Sequence, residues 1–269
     1  MSRSQCDVYF YSPFQDTGNC DPRRKHHPLL IFLPGLNETG QGLMSRQMRS
    51  LENHFNIRCL VIPPKDLDDW DVIAKSTLAL IEAEKASKFY LCGESFGGCL
   101  ALEMLRQAPD WFEKVILINP ASSFQRVFWL NFGSYFFPFT PEWVYHHSAW
   151  LTPAFLTNID RVSTKACEDL ADTVRCTSKQ AANWRIGMMR NFAIDEAKLG
   201  QVTTPVLILG SQEDLILPSV EEANRLANIF PQATVVTLPH SGHACLVEES
   251  MNLYQIMQSN NFLANFQVK

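Results

Sequence analysis

The chain has no cysteine pair at CxxC spacing, no His/Cys cluster at zinc spacing, no excess of positive charge and no apolar run long enough to cross a bilayer. Each absence removes a class. The eight cysteines (6, 20, 59, 92, 99, 167, 176 and 245) are scattered, several of them in apolar runs where a reduced thiol packs as a small hydrophobe. Neither a disulfide framework, nor a structural metal, nor a cofactor is expected. The net charge of −5 argues against a nucleic-acid surface, and the one compact basic cluster, Arg23-Arg24-Lys25 with His26 and His27, reads as a solvated turn. The opening MSRSQCDVYFYSPFQ lacks a basic region followed by an apolar stretch, so no export signal is indicated. Val127 to Pro141, the longest uncharged aromatic stretch, is too short to span a bilayer and is broken by Asn131, Gly133 and two prolines. A cytoplasmic protein is expected, with peripheral contact to a membrane surface as the membrane relation left open and no protein partner implied.

What is present is an ordinary globular composition. At 269 residues, 46% hydrophobic and 19% charged, the chain can bury one large core or a core carrying an insertion. Short apolar runs alternate with longer helical patterns. Leu29 to Leu33, Ile57 to Ile62, Phe89 to Cys92, Val115 to Ile118, Val206 to Leu209 and Thr234 to Leu238 have the near-continuous hydrophobicity of strands buried on both faces. Gly42 to His54, Trp70 to Ala86, Ser95 to Arg106, Pro218 to Ile229 and Cys245 to Met257 read as helices, with Asp69 as an N-cap and Pro218 as a first-turn proline. The alternation predicts an α/β fold with a mainly parallel sheet covered on both sides.

Residues 121–201 break that rhythm. They contain no convincing strand and are crowded with Phe124, Phe128, Trp129, Phe132, Tyr135, Phe136, Phe137, Phe139, Trp143, Tyr145, Trp150 and Phe155. A helical insertion is expected there, between core segments 1–120 and 202–269. Most of its rings are expected to form its own core and its seam with the main domain, and some to face a substrate cleft. Phe124, Phe128 and Trp129 are the candidate substrate contacts.

The chemistry centres on Gly93-Glu94-Ser95-Phe96-Gly97, set between a strand-like run and a helix-like run. A serine on a sharp strand-to-helix turn is exposed for attack, and small residues two before and two after it let the crossing backbones approach. A nucleophilic serine also needs a base, an orienting acid and donors for an oxyanion. Asp214 follows the strand at Val206 and His243 follows the strand at Thr234, so serine, acid and histidine occur in the order this turn requires. Asp214 is favoured over neighbouring Glu213 because it lies just before the apolar turn Leu215 to Pro218. His243, after a glycine and opening the last helical segment, is favoured over His240. The oxyanion donors are assigned to the backbone amides of Phe96, at a helix N-terminus, and Leu36, in the turn Pro34-Gly35-Leu36-Asn37.

With these residues in place, the chain resembles the α/β-hydrolase superfamily over nearly its whole length. Phe32-Leu33-Pro34-Gly35-Leu36 with Thr39-Gly40, the run Cys59 to Pro63, Ser95-Phe96-Gly97-Gly98-Cys99-Leu100-Ala101-Leu102 and Asn119-Pro120-Ala121-Ser122-Ser123-Phe124 are similar to the esterase half of the plastid phytyl ester synthases. Those proteins carry a second, acyltransferase domain, for which this chain is expected to have no room. Its turn also reads Leu36-Asn37-Glu38-Thr39-Gly40 where that family is expected to carry an aspartate-glycine pair. The resemblance implies a stand-alone serine hydrolase using the triad Ser95, Asp214 and His243 on a hydrophobic ester or acyl-lipid substrate, such as galactolipids or phytyl-type esters. Acyl transfer through the same triad and ligand binding without catalysis are the competing readings.

Overall fold

The computed structural model describes residues 8–13, 27–36, 41–63, 67–84, 86 and 88–263. Strand β1 (Tyr9–Tyr11) is followed by β2 (Leu29–Leu33), α1 (Gln41–Leu51), β3 (Asn56–Val61), α2 (Trp70–Ala83), β4 (Phe89–Glu94), α3 (Phe96–Gln107) and β5 (Lys114–Ile118). A helical stretch intervenes before β6 (Val206–Ser211), α10 (Ser219–Ala227), β7 (Ala233–Leu238) and α11 (Leu253–Ser259). The seven strands among the described residues lie in the order β1-β3-β2-β4-β5-β6-β7, and all neighbours are parallel except β1 and β3.

Side chains alternate across a strand, so one apolar run feeds two cores. Leu29, Ile31 and Leu33 of β2 join Leu91, Val115, Leu117 and Ile208 under α2, α3 and α10. Leu30 and Phe32 join Ile57, Cys59, Cys92, Ile116 and Leu207 on the other face, with Leu51 of α1 and Leu253 and Met257 of α11. β2 has no exposed position, because sheet neighbours close its edges and helices close its faces. α3 is apolar nearly all round and runs through the middle of its layer, with Phe96 to Leu102 buried without interruption.

The expected strands all form: Leu29–Leu33 with the expected bounds, and the other five extended by one or two residues or shifted by one. Asp69 caps α2 as expected, its carboxylate accepting from the Val72 N–H at 3.0 Å. Pro218 sits one place earlier than expected, at the cap of α10 rather than in its first turn. β1 is an addition: three residues at the sheet edge are too few to show periodicity, and their pairing with Val61, Leu60 and Cys59 is a long-range contact. The helix expected from Cys245 to Met257 is two pieces, a 3-10 turn at Cys245–Val247 and α11. Glu248 is extended there and its carboxylate accepts from the Gly242 N–H at 2.8 Å, an anchor for the preceding loop that a continuous helix would not permit. Residues 23–26 of the basic cluster and 37–40 of the first turn lie outside the described residues.

Between β5 and β6 the chain contains helices and 3-10 turns and no strand. After a 3-10 turn at Ala121–Arg126 come α4 (Phe128–Ser134), α5 (Glu142–Ser148), α6 (Thr152–Leu156), α7 (Thr164–Cys176), α8 (Lys179–Arg190) and α9 (Glu196–Leu199). Ser163 and Ser178 cap α7 and α8. A small core of Tyr145, Ala149, Val174 and Ala182 ties α5, α7 and α8 together, with Phe137 against it. Burial pushes the Tyr145 phenol up to about 12, so its hydroxyl stays protonated and donates to the Val174 carbonyl at 3.2 Å. The rings do not form the large core expected of them. Nine of the twelve are exposed, and only Phe124 and Tyr145 are fully buried. Seven-residue helices present too little inner surface to hide rings at nearly every turn.

Candidate active site

The chain leaves β2 toward β3 on one side and returns to β4 on the other, which opens a crevice at the carboxyl ends of β2 and β4. The turn after β2 and the turn at Ser95 flank it. Ser95 has φ 52° and ψ −112°, a conformation that costs about 1–3 kcal/mol and persists only when its surroundings over-determine it. They do. Its N–H donates to the Ile118 carbonyl at 3.0 Å, and its own carbonyl accepts from Gly98, Cys99 and Ala121 at 3.0–3.3 Å. Gly97 crosses the end of β2 so closely that a Cβ would collide with the Leu33 and Pro34 carbonyls, and one on Gly93 would collide with the Gly97 backbone.

His243 lies in the loop after β7 and Asp214 in the loop after β6. The His243 Nε2 is 2.8 Å from Ser95 Oγ, and its Nδ1 is 2.7 Å from Asp214 Oδ2. Both His243 and the Asp214 carboxylate are buried. Burial alone would raise the Asp214 carboxyl, but the His243 charge and hydrogen bonds from His243, Ser219 and the Leu217 amide outweigh it and hold the carboxyl below its usual value. Asp214 Oδ1 accepts from Ile216 and Leu217 amides at 2.8 and 3.0 Å, while Ser219 Oγ donates to Oδ2 at 2.5 Å. The alternatives lie elsewhere: Glu213 is exposed, accepts from Asn158 Nδ2 at 2.8 Å and sits 3.4 Å from His240 Nδ1.

Leu36 and Gly35 line the same cavity as Ser95. Phe96 opens α3, where backbone N–H groups have no intrahelical acceptor, and its ring is fixed 4.5 Å from that of Trp70. Burial pushes the thiols of Cys92, Cys99 and Cys245 well above their ordinary value, so these stay protonated in the core. Among the described residues no group of three or more His, Cys, Asp or Glu is placed to hold a metal ion.

The cavity above Ser95 holds about 440 Å³. Its floor is Ser95, His243 and the turn at Leu36; its walls are mostly apolar, with Leu130, Val174, Ala182, Ile186 and Met189 from the helical stretch and Ile216 and Leu217 from the Asp214 loop. Phe124 and Trp129 line it. Phe128 does not: it is 80% exposed, because α4 turns that face to solvent.

Two positioning residues were not anticipated. Asn119, at φ 43°, donates from Nδ2 to the His243 carbonyl at 2.6 Å and to Ser211 Oγ at 2.9 Å, joining the ends of β5 and β6 to the histidine loop. Its signal was an asparagine before a proline at a strand end, since asparagine tolerates the left-handed region. Arg185 of α8 is 4% exposed and donates to the carbonyls of Leu36, Ile62 and Pro63 at 2.7, 3.0 and 3.1 Å. Its signal was a charge within the apolar stripe Ala181, Ala182, Met188 and Met189.

The chain is 28% identical over 264 residues to phytyl ester synthase 1, chloroplastic, of Arabidopsis thaliana, covering 86% of this chain and 36% of that protein. It thus spans about a third of that relative's length. It is 26% identical over 181 residues to a putative carbamate hydrolase, RutD, of Agrobacterium fabrum, covering 66% and 68% of the two chains. An esterase from Exiguobacterium antarcticum shares the fold with a TM-score of 0.77 at 15% identity, covering 94% of each chain. The resemblance to phytyl ester synthases holds. With the α/β hydrolase fold model matching residues 28–250 around a serine turn, a switch-point crevice and a mainly parallel sheet, the chain belongs to the α/β hydrolase fold family.

Proposed function

We propose that the protein is a serine carboxylic-ester hydrolase acting on hydrophobic acyl or isoprenoid esters. The observation that carries the reading is the single imidazole that bridges the Ser95 hydroxyl and the Asp214 carboxylate at 2.8 and 2.7 Å. In this mechanism His243 takes the Ser95 proton as Oγ attacks the ester carbonyl, and Asp214 holds the imidazole in the tautomer with the proton on Nδ1. The amides of Leu36 and Phe96 stabilise the oxyanion. Loss of one such donor costs about 2.7–4 kcal/mol of transition-state stabilisation. His243 then protonates the leaving alcohol, and water, activated by the same imidazole, releases the acyl group from Ser95. Residues 121–201 act as the cap whose apolar wall selects the substrate.

Acyl transfer is the second reading, favoured by the similarity to a phytyl ester synthase and by a cavity with little polar surface to hold water. An alcohol would then compete with water for the same acyl-enzyme. Ser95→Ala should lower kcat on p-nitrophenyl butyrate by about 10⁴–10⁶-fold and abolish fluorophosphonate labelling. Undiminished hydrolysis by the purified variant would sink both readings. Incubation with a glycerolipid and phytol separates them: free fatty acid is expected for hydrolysis, phytyl ester for transfer.

A further inference from the structure

Nine large aromatic side chains between Phe128 and Phe155 are exposed, Phe128 and Phe139 by 80 and 81%, and Leu151 and Ile159 extend the patch. From Phe128 to Ile159 the sequence carries Glu142 as its one formal charge. On α4 and the turn after it, Phe128, Phe132 and Phe136 form a ladder with centroids 5.9 and 5.1 Å apart. Scattered exposed rings need no explanation, but a run of this density on one segment marks a surface that is covered in use. We propose that this face docks on a phospholipid bilayer, its rings entering the interfacial layer and the cavity above Ser95 receiving its substrate from the lipid side.

Three observations select lipid as the occupant. Trp129 belongs both to the cavity lining and to the exposed patch, so the patch borders the route to Ser95. The charges around the rings complement a bilayer: the Arg175 guanidinium stacks 3.9 Å from the Trp150 ring, that of Arg190 lies 4.0 Å from the Tyr135 ring, and the Lys179 ammonium donates to the Pro138 carbonyl at 2.7 Å. An aromatic segment whose one formal charge is Glu142, with three cations against its rings and backbone, matches apolar chains beneath a phosphate layer, whereas the chain as a whole is acidic. Four of the nine exposed rings are Trp or Tyr, the types enriched at a membrane interface, and five are Phe, a residue that interfacial helices carry on their buried face. α4 and α5 have seven residues each, and no helix among the described residues is long and apolar enough to cross a membrane, so these elements lie on the bilayer rather than through it.

Docking itself needs no catalytic step; only substrate delivery rests on the hydrolase reading. The test is flotation with vesicles of palmitoyl-oleoyl phosphatidylcholine, using the wild-type chain, Ser95→Ala and the triple variant Phe132→Ser, Phe139→Ser, Trp143→Ser. Thermal melting checks each fold, and Phe139→Ser alone serves if the triple variant melts early. Wild type and Ser95→Ala should float equally, and the triple variant should partition at least about tenfold less while keeping its turnover of p-nitrophenyl butyrate. Because rings drive insertion, raising the salt to about 0.5 M should change the partition by less than about twofold. Absence of flotation, or equal flotation of the triple variant, overturns the proposal. So does a wild-type dimer in sedimentation velocity that ignores vesicles and dissociates on the same substitutions, since a second copy then covers the face. Flotation of a chain without esterase activity leaves docking standing and removes the hydrolase reading; esterase activity without flotation does the reverse.

Discussion

Asp214 carries two consequences at the scale of one side chain. Its carboxyl titrates lower in the folded protein than in the unfolded chain, so between the two values the unfolded chain binds more protons. The stability it supplies is complete above the unfolded value and is lost as pH falls through the folded one. Melting temperature should therefore drop below about pH 4, and Asp214→Asn should flatten part of that acid limb in a pH series of thermal melts. The same substitution should lower kcat by about 10⁴ by reversing the hydrogen bond that sets the His243 tautomer. Arg185 acts one step further from the chemistry. Its bond to the Leu36 carbonyl fixes the peptide that follows the proposed oxyanion amide, while two more bonds hold the end of β3. Arg185→Met should lower kcat by about tenfold with KM changed less than twofold, because the interaction it supports is made in the transition state. An equal loss in KM would reduce Arg185 to a packing role.

The strand-to-helix turn is the element on which the site depends. β4, Ser95 and α3 are pressed against the end of β2, and the contact admits no side chain at Gly97. Gly97→Ala should cost about 1–3 kcal/mol as an overpacking substitution, and about 2–4 °C of melting temperature for each kcal/mol. Activity should fall further than stability, since relief of the clash moves the backbone that presents Ser95. Comparing residual esterase rate with folded fraction at one temperature checks this. In contrast Phe132 on α4, Phe139 in the turn after it and Trp143 on α5 are all exposed, so the substitutions of the docking test should cost little stability.

Across the whole molecule, the core presents Ser95 and the stretch 121–201 supplies much of the cavity wall. That division predicts that substrate length can be changed without touching the turn at Ser95. Val174→Phe should fill part of the cavity, lowering kcat/KM for a p-nitrophenyl laurate by about 10–200-fold for each displaced methylene contact while sparing the acetate. Parallel losses on both esters would show instead that Val174 supports the fold.

The amino-acid sequence by itself determined the parallel sheet and the elements that carry Ser95, Asp214 and His243, because buried strands and a strained turn leave local signatures in β-branched runs and glycine spacing. It also supplied the resemblance to phytyl ester synthases. The sequence favoured Asp214 over neighbouring Glu213 and His243 over His240 three residues before it, but only the tertiary structure brings Asp214 and His243 into contact, because direction across a loop is not a local property. Asn119 and Arg185 acquire their roles from carbonyls 124 and 149 residues away along the chain. The rings of 121–201 were visible as a composition, but their expected burial was wrong, since burial depends on the area that neighbouring elements can offer. Local periodicity fixes what a segment can form, and packing between distant segments fixes which of its faces meets the substrate and which meets the surroundings.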